Sequence, residues 1–228
     1  MSYLQKLWGA IAFGFMLSTS NLAMAECNDT AGPAVDWQGC NKQMTVLSGA
    51  DLTGANLAGA FLSGTVFTHS ILNDANLQMT ELLRVSFEGA DLSGAKLEKA
   101  LSFRSLFTAA VLKNARLIKA EFHRVNFQGA DLSSANMAEG EFIRNNFTDA
   151  NLEGVDMKGT TLHRSIFKHT NLKGVSFKGA YMFRAHFEAA DLSTATNLTQ
   201  KQLDIACGDQ TTKLPSGLAA PPHWPCQE

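Results

Sequence analysis

This 228-residue sequence has little net charge, only four cysteines and no long apolar run. Its 19 lysines and arginines nearly balance 21 aspartates and glutamates, giving a formal charge of −2. That balance removes any general electrostatic case for a nucleic-acid or membrane-surface partner. Catalytic signatures are missing as well: there is no Gly-rich phosphate loop, no nucleophile elbow and no His-Glu-x-x-His helix. A membrane-spanning helix needs roughly 20 apolar residues, and the run through Trp8, Ile11, Phe13, Phe15, Met16 and Leu17 is nearer a dozen.

That run has the form of a cleaved export signal over residues 1–25. A short polar start carries Lys6, and the stretch closes on Ala23-Met24-Ala25 before Glu26, an A-x-A cleavage pattern. Glu26 places a charge where a lipobox before Cys27 wants a small residue, so no lipid anchor is expected. The sequence therefore predicts a periplasmic or secreted protein without stable membrane insertion once the leader is removed. Cys27, Cys40, Cys207 and Cys226 all lie in the mature chain. In an exported protein they suggest disulfides, with three possible connectivities.

What the chain has in abundance is a repeat. In Gly49 to Ala60, GADLTGANLAGA, a small residue, a polar residue and a leucine recur every five positions. The beat begins at Val35-Asp36-Trp37 and continues without insertion or deletion to Ala190-Asp191-Leu192, which is 32 pentapeptides over residues 35–194. This A-(D/N)-L-x-x pattern resembles the pentapeptide-repeat family. The resemblance implies an all-β, right-handed, four-sided β-helix, with the small and central residues of each pentapeptide pointing inward and twenty residues per coil. Two inward positions in five fit neither a strand of period two nor a helix of period 3.6.

The sequence carries its own mark of the twenty. Phe67, Phe87, Phe107, Phe127, Phe147, Phe167 and Phe187 are spaced by 20, and Leu52 to Leu192 form a second column at the same spacing. About eight coils at about 4.8 Å make a rod of roughly 38 Å. Two cysteines lie at each end of that rod, beyond the roughly 7 Å that a disulfide spans between Cα atoms, so the pairs predicted are Cys27–Cys40 and Cys207–Cys226. Residues 26–34 read as a lead-in. Residues 195–228 read as a cap: a helix with Thr199 as N-cap and Gly208 as its stop, then an irregular, proline-bearing tail held by Cys226.

Function then has to come from outward positions. His123 and His163 share a column but lie two coils apart, about 10 Å, too far to share a metal with ligands at about 2 Å. No catalytic, cofactor or metal site is therefore expected, and an enzyme is the weakest reading. Quinolone-resistance members of the family protect gyrase as acidic DNA mimics, but residues 50–194 hold 15 acidic and 15 basic side chains. One surface feature is specific. Arg84, Arg104, Arg124, Arg144, Arg164 and Arg184 form an outward column, flanked by Leu83, Phe103, His123, Ile143, His163 and Phe183. Arginine beside aromatic residues suits an interface, so the expected role is non-enzymatic scaffolding toward a protein partner, a second copy or an anionic polymer. The competing expectation is that these arginines only pair locally with Glu81, Glu88, Glu121, Glu141 and Glu188. Three inward sites break the pattern: Lys42, expected to escape to solvent, Ser102, expected to shift or find a polar contact, and Asn145, expected to bond to neighbouring backbone.

Overall fold

Stacking of identical small and apolar positions governs the architecture. A computed structural model describes residues 27–226; the export signal expected over residues 1–25 lies outside the described residues. Parallel bridges join each outward polar residue to the one twenty positions later, in four columns opened by Asp36↔Asn56, Asn41↔Phe61, Val46↔Val66 and Asp51↔Ile71. From Leu52 to Leu192 every small and every central position is buried. Only near the open N-terminal end are Lys42, Thr45, Leu47 and Ala50 partly exposed.

One hydrogen-bonding rule builds the stack. The central N–H donates to the carbonyl of the polar residue in the next coil, as from Leu72 to Asp91 at 2.6 Å. The polar residue's N–H donates back to the small residue of the coil before, as from Asp91 to Ser70 at 2.9 Å. At the corners a turn closes from the small residue's N–H to the preceding central carbonyl, as from Ala95 to Leu92 at 3.0 Å, with Gly94 at φ +69° in the third turn position. Positive φ there is the requirement of a type II turn. Inside, the seven phenylalanines stack at centroid distances of 4.7–5.0 Å. This matches the spacing of hydrogen-bonded strands, so backbone and ring ladders reinforce one another.

Both ends are closed by side chains. Lys42 stays partly exposed, and its Nζ donates to the Cys27 carbonyl at 2.7 Å and sits 3.7 Å from the Trp37 ring centre. A Cys27–Cys40 disulfide fastens that lead-in, and a Cys207–Cys226 disulfide fastens the tail. The helix α1 (Gln200–Leu203) starts at the Thr199 N-cap but ends at Asp204, well before Gly208. Gly208 instead makes room for Trp224, whose ring would lie 2.4 Å from a Cβ at that position. The ladder also outlasts residue 194. Ser176 pairs with Thr196, and after the helical detour His186 pairs with Cys207 and Asp191 with Lys213, so part of the tail is the last rung. Gln202 seals the final carbonyls, its Nε2 donating to Phe177 at 2.8 Å and Ala180 at 2.9 Å.

Candidate interaction face

Three of the four faces have a polar residue that folds back on its own pentapeptide. Asp91, Asn126 and Asp156, for example, accept the N–H two residues on, from Ser93, Gln128 and Lys158 at 2.9–3.1 Å. These turns compete with extended pairing. On the fourth face the equivalent residues of four successive coils are Glu81, Leu101, Glu121 and Glu141. Here the chain stays extended for three residues at a time, giving β1 (Glu81–Leu83), β2 (Leu101–Phe103), β3 (Glu121–His123) and β4 (Glu141–Ile143) in one parallel sheet of order β1-β2-β3-β4. The register sets Leu83 beside Phe103, Phe103 beside His123, and His123 beside Ile143.

The corner next to this sheet is built differently from the others. The turn-closing bond is replaced by side chains from the small positions. Val85 N–H donates to Ser105 Oγ at 3.1 Å, and Ser105 Oγ donates to the Leu82 carbonyl. Val125 N–H donates to Asn145 Oδ1 at 2.8 Å, and Asn145 Nδ2 donates to the Phe122 carbonyl at 2.9 Å. Ser165 Oγ serves Asn145 N–H and the Phe142 carbonyl in the same way, at 2.9 and 2.7 Å. Every polar group freed by opening these corners at Leu82, Phe122 and Phe142 thus has a partner, as burial demands. Ser102, inward on β2, donates to the Leu82 carbonyl at 3.3 Å without displacing Phe103 from the surface.

Onto this corner the sequence places all six arginines, each with φ between 53° and 57°. Left-handed backbone is costly for a residue with a Cβ, whereas Gly64 occupies the same column one coil earlier. Arg84, Arg104, Arg124 and Arg144 are exposed, and Arg164 and Arg184 are half-buried. Arg104 and Arg124 both lean on Phe103, at 5.1 and 6.0 Å from its ring centre. Farther along, Phe183 stacks on His163 at 5.4 Å and on Tyr181 at 6.4 Å. Partial burial, followed by Arg164, Arg144 and Arg184, pushes the His163 pKa below its ordinary value.

Local pairing with glutamate does not account for the column. Glu141 lies 3.4 Å from His123 Nε2, and Glu188 pairs with His186 at 2.9 Å. Among the described residues, Arg84, Arg104, Arg124, Arg144 and Arg164 have no ion pair, and neither do Glu81 and Glu121. The structure brings together Leu83, Phe103, His123 and Ile143 in one sheet and continues the line through His163 and Phe183. It also extends the face beyond the residues singled out by sequence. A hollow of about 410 Å³ joins Met44 and Gly64 to Leu83 and Arg84 at one end. At the other, about 640 Å³ lies between Phe183, Arg184, Ile205 and Trp224. The spacing of 20 back from Arg84 to Gly64 and Met44 was the available signal for the first; nothing local marks the second except Trp224 beside a cysteine. Among the described residues no cluster of three or more His, Cys, Asp or Glu is arranged for a metal, and no helix is long and apolar enough to cross a membrane.

Comparison with known proteins bears on the repeat and its fold. A family model described as a pentapeptide repeat region matches residues 120–197, and one described as pentapeptide repeats (8 copies) matches residues 45–82 and 72–101. A search of curated proteins finds no match. Among solved structures, HetL from the cyanobacterium Nostoc sp. strain PCC 7120, a pentapeptide repeat protein involved in heterocyst differentiation regulation, aligns at TM-score 0.69 and 25% identity over 82% of this chain and 86% of its own. Full-length QnrB1, a plasmid-mediated fluoroquinolone resistance protein, aligns at TM-score 0.45 and 18% identity over 77% of this chain and 94% of its own. A pentapeptide repeat protein of the Arabidopsis thaliana thylakoid lumen aligns at TM-score 0.33 and 28% identity over 53% and 75%.

Proposed function

Because the chain belongs to the pentapeptide-repeat family, a solenoid that presents surfaces rather than enclosing a cleft, we propose that it is an exported, non-enzymatic scaffold acting through protein contact at its Arg/apolar face. The observation that carries this reading is the run Arg84 to Arg164, five arginines of one column without an ion pair among the described residues, aligned beside a sheet whose last outward residues are Leu83, Phe103, His123 and Ile143. Leu83, Phe103 and Phe183 keep about two-fifths of their surface exposed at 40%, 37% and 38%. Singly scattered apolar residues need no explanation, but a continuous row does. Export is supported by the leader pattern of residues 1–25 and by two disulfides in a chain with no other described cysteine.

Protection of a topoisomerase by DNA mimicry fits less well. A duplex mimic presents dense negative charge, and the most regular charged feature here is positive. The scaffold reading is tested by Arg124→Glu with Arg144→Glu, in pull-downs from the native cell envelope. Loss of the partner with unchanged β-type circular dichroism supports it; an unchanged capture profile sinks it.

A further inference from the structure

The sheet carries two charged edges of opposite sign. Glu81, Glu121 and Glu141 begin β1, β3 and β4, and Arg84, Arg124 and Arg144 follow their last residues on the same rungs. Three residues of extended chain, about 10 Å, separate the two edges, and the apolar column stands between them. No ion pair joins the edges within the chain. Yet a carboxylate edge and a guanidinium edge on one flat surface are complementary under rotation.

We infer that this face pairs with the same face of a second copy, the two rods lying side by side and pointing the same way about a twofold axis parallel to the rod. This inference rests on the interaction face proposed above and commits it to one occupant. A rotation about that axis exchanges left and right edges while keeping each rung at its height. Glu81 of one copy then meets Arg84 of the other, Glu121 meets Arg124, and Glu141 meets Arg144. Leu83, Phe103, Ile143 and Phe183 meet their own counterparts along the axis. Rods running in opposite directions would instead set the arginine edge against itself, which like charges oppose. From Leu83 to Phe183 the strip spans six rungs, five steps apart, about 24 Å. So narrow a patch belongs to the small, weak class of interfaces, and the dimer is concentration-dependent.

The test uses two double variants of the full chain, Arg124→Glu/Arg144→Glu and Glu121→Arg/Glu141→Arg, in sedimentation equilibrium, each first shown by circular dichroism to melt like the parent. The parent self-associates, and each variant alone is weakened by about 100-fold because like charges now face each other. An equimolar mixture of the two regains the parent's affinity as a heterodimer. The inference is overturned if the mixture stays monomeric, or if each variant alone associates as well as the parent while the mixture associates more tightly than the parent, which is the mark of opposed rods, whose like edges already face each other in the parent. A parent that is monomeric up to about 1 mM but still captures an envelope protein through Arg124 and Arg144 overturns the dimer alone. A parent that dimerises indifferently to both variants overturns the dimer at this face, and the assignment of the face loses its support with it.

Discussion

Replacing Asn145 by alanine should be among the most damaging single changes in the solenoid, although alanine is the residue most small positions already use. Asn145 is fully buried and bonds two main-chain groups in the coil before it, the Val125 N–H at 2.8 Å and the Phe122 carbonyl at 2.9 Å. Each group left unsatisfied in the interior costs about 1–3 kcal/mol. Relief from burying the amide itself offsets part of that, so the expected loss is about 2–4 kcal/mol. Asn145→Ser should recover at least half, because Ser105 already performs both tasks two coils earlier, accepting from Val85 N–H and donating to the Leu82 carbonyl. The assay is urea unfolding followed by circular dichroism, with hydrogen exchange at the Val125 amide as a local readout. An Asn145→Ala protein within about 0.5 kcal/mol of the parent, or one no worse than Asn145→Ser, would refute the reasoning: water would then be replacing the amide.

Two further outcomes are expected. Arg124→Gly should leave stability unchanged or raise it by up to about 1 kcal/mol, since φ at this position is 57° and glycine carries no Cβ penalty there; a lower urea midpoint would show that the guanidinium is structural. Stability should fall on the acid side through Asp191, whose pKa is lowered from 3.8 to about 2, first by the Ser193 hydroxyl and then by Lys213. A carboxylate whose folded pKa is depressed stabilises the fold above its unfolded value and loses that contribution as pH falls toward the folded one. Between pH 3.8 and about 2, Asp191→Asn should therefore lose less stability than the parent in melts at stepped pH, and equal slopes would count against it.

The core was legible because burial repeats without exception from Leu52 to Leu192. A residue's place in the pentapeptide decides whether it faces in, and its place in the twenty decides which column it joins, so the Phe67–Phe187 and Leu52–Leu192 ladders could be read directly. Three things were not legible. The strands coincide with corners whose turn-closing bonds at Leu82, Phe122 and Phe142 are replaced by side chains from the next coil, Ser105, Asn145 and Ser165, a pairing of residues 20 and 23 apart that only the stacked coils bring together. The short α1 and the rungs at Cys207 and Lys213 were hidden because the detour shifts the spacing to 21 and then 22 residues, breaking the period. The partners of Lys42, the Cys27 carbonyl and the Trp37 ring, were hidden because the lead-in has no repeat to place it over the first coil. Of the face itself, the membership of the two columns was visible in advance; that Arg84 to Arg164 of the column make no ion pair among the described residues was not, because it depends on which way each glutamate leans.

The two disulfides close loops of 13 and 19 residues, each within its own end of the stack, and neither ties one end to the other. The length of the molecule is consequently an adjustable quantity. Whole coils can be gained or lost between the clasps, in steps of 20 residues and about 4.8 Å, while each column keeps its register and each cap keeps its seat. Selection acting on such a chain can lengthen or shorten its face to suit whatever lies against it without redesigning a single joint.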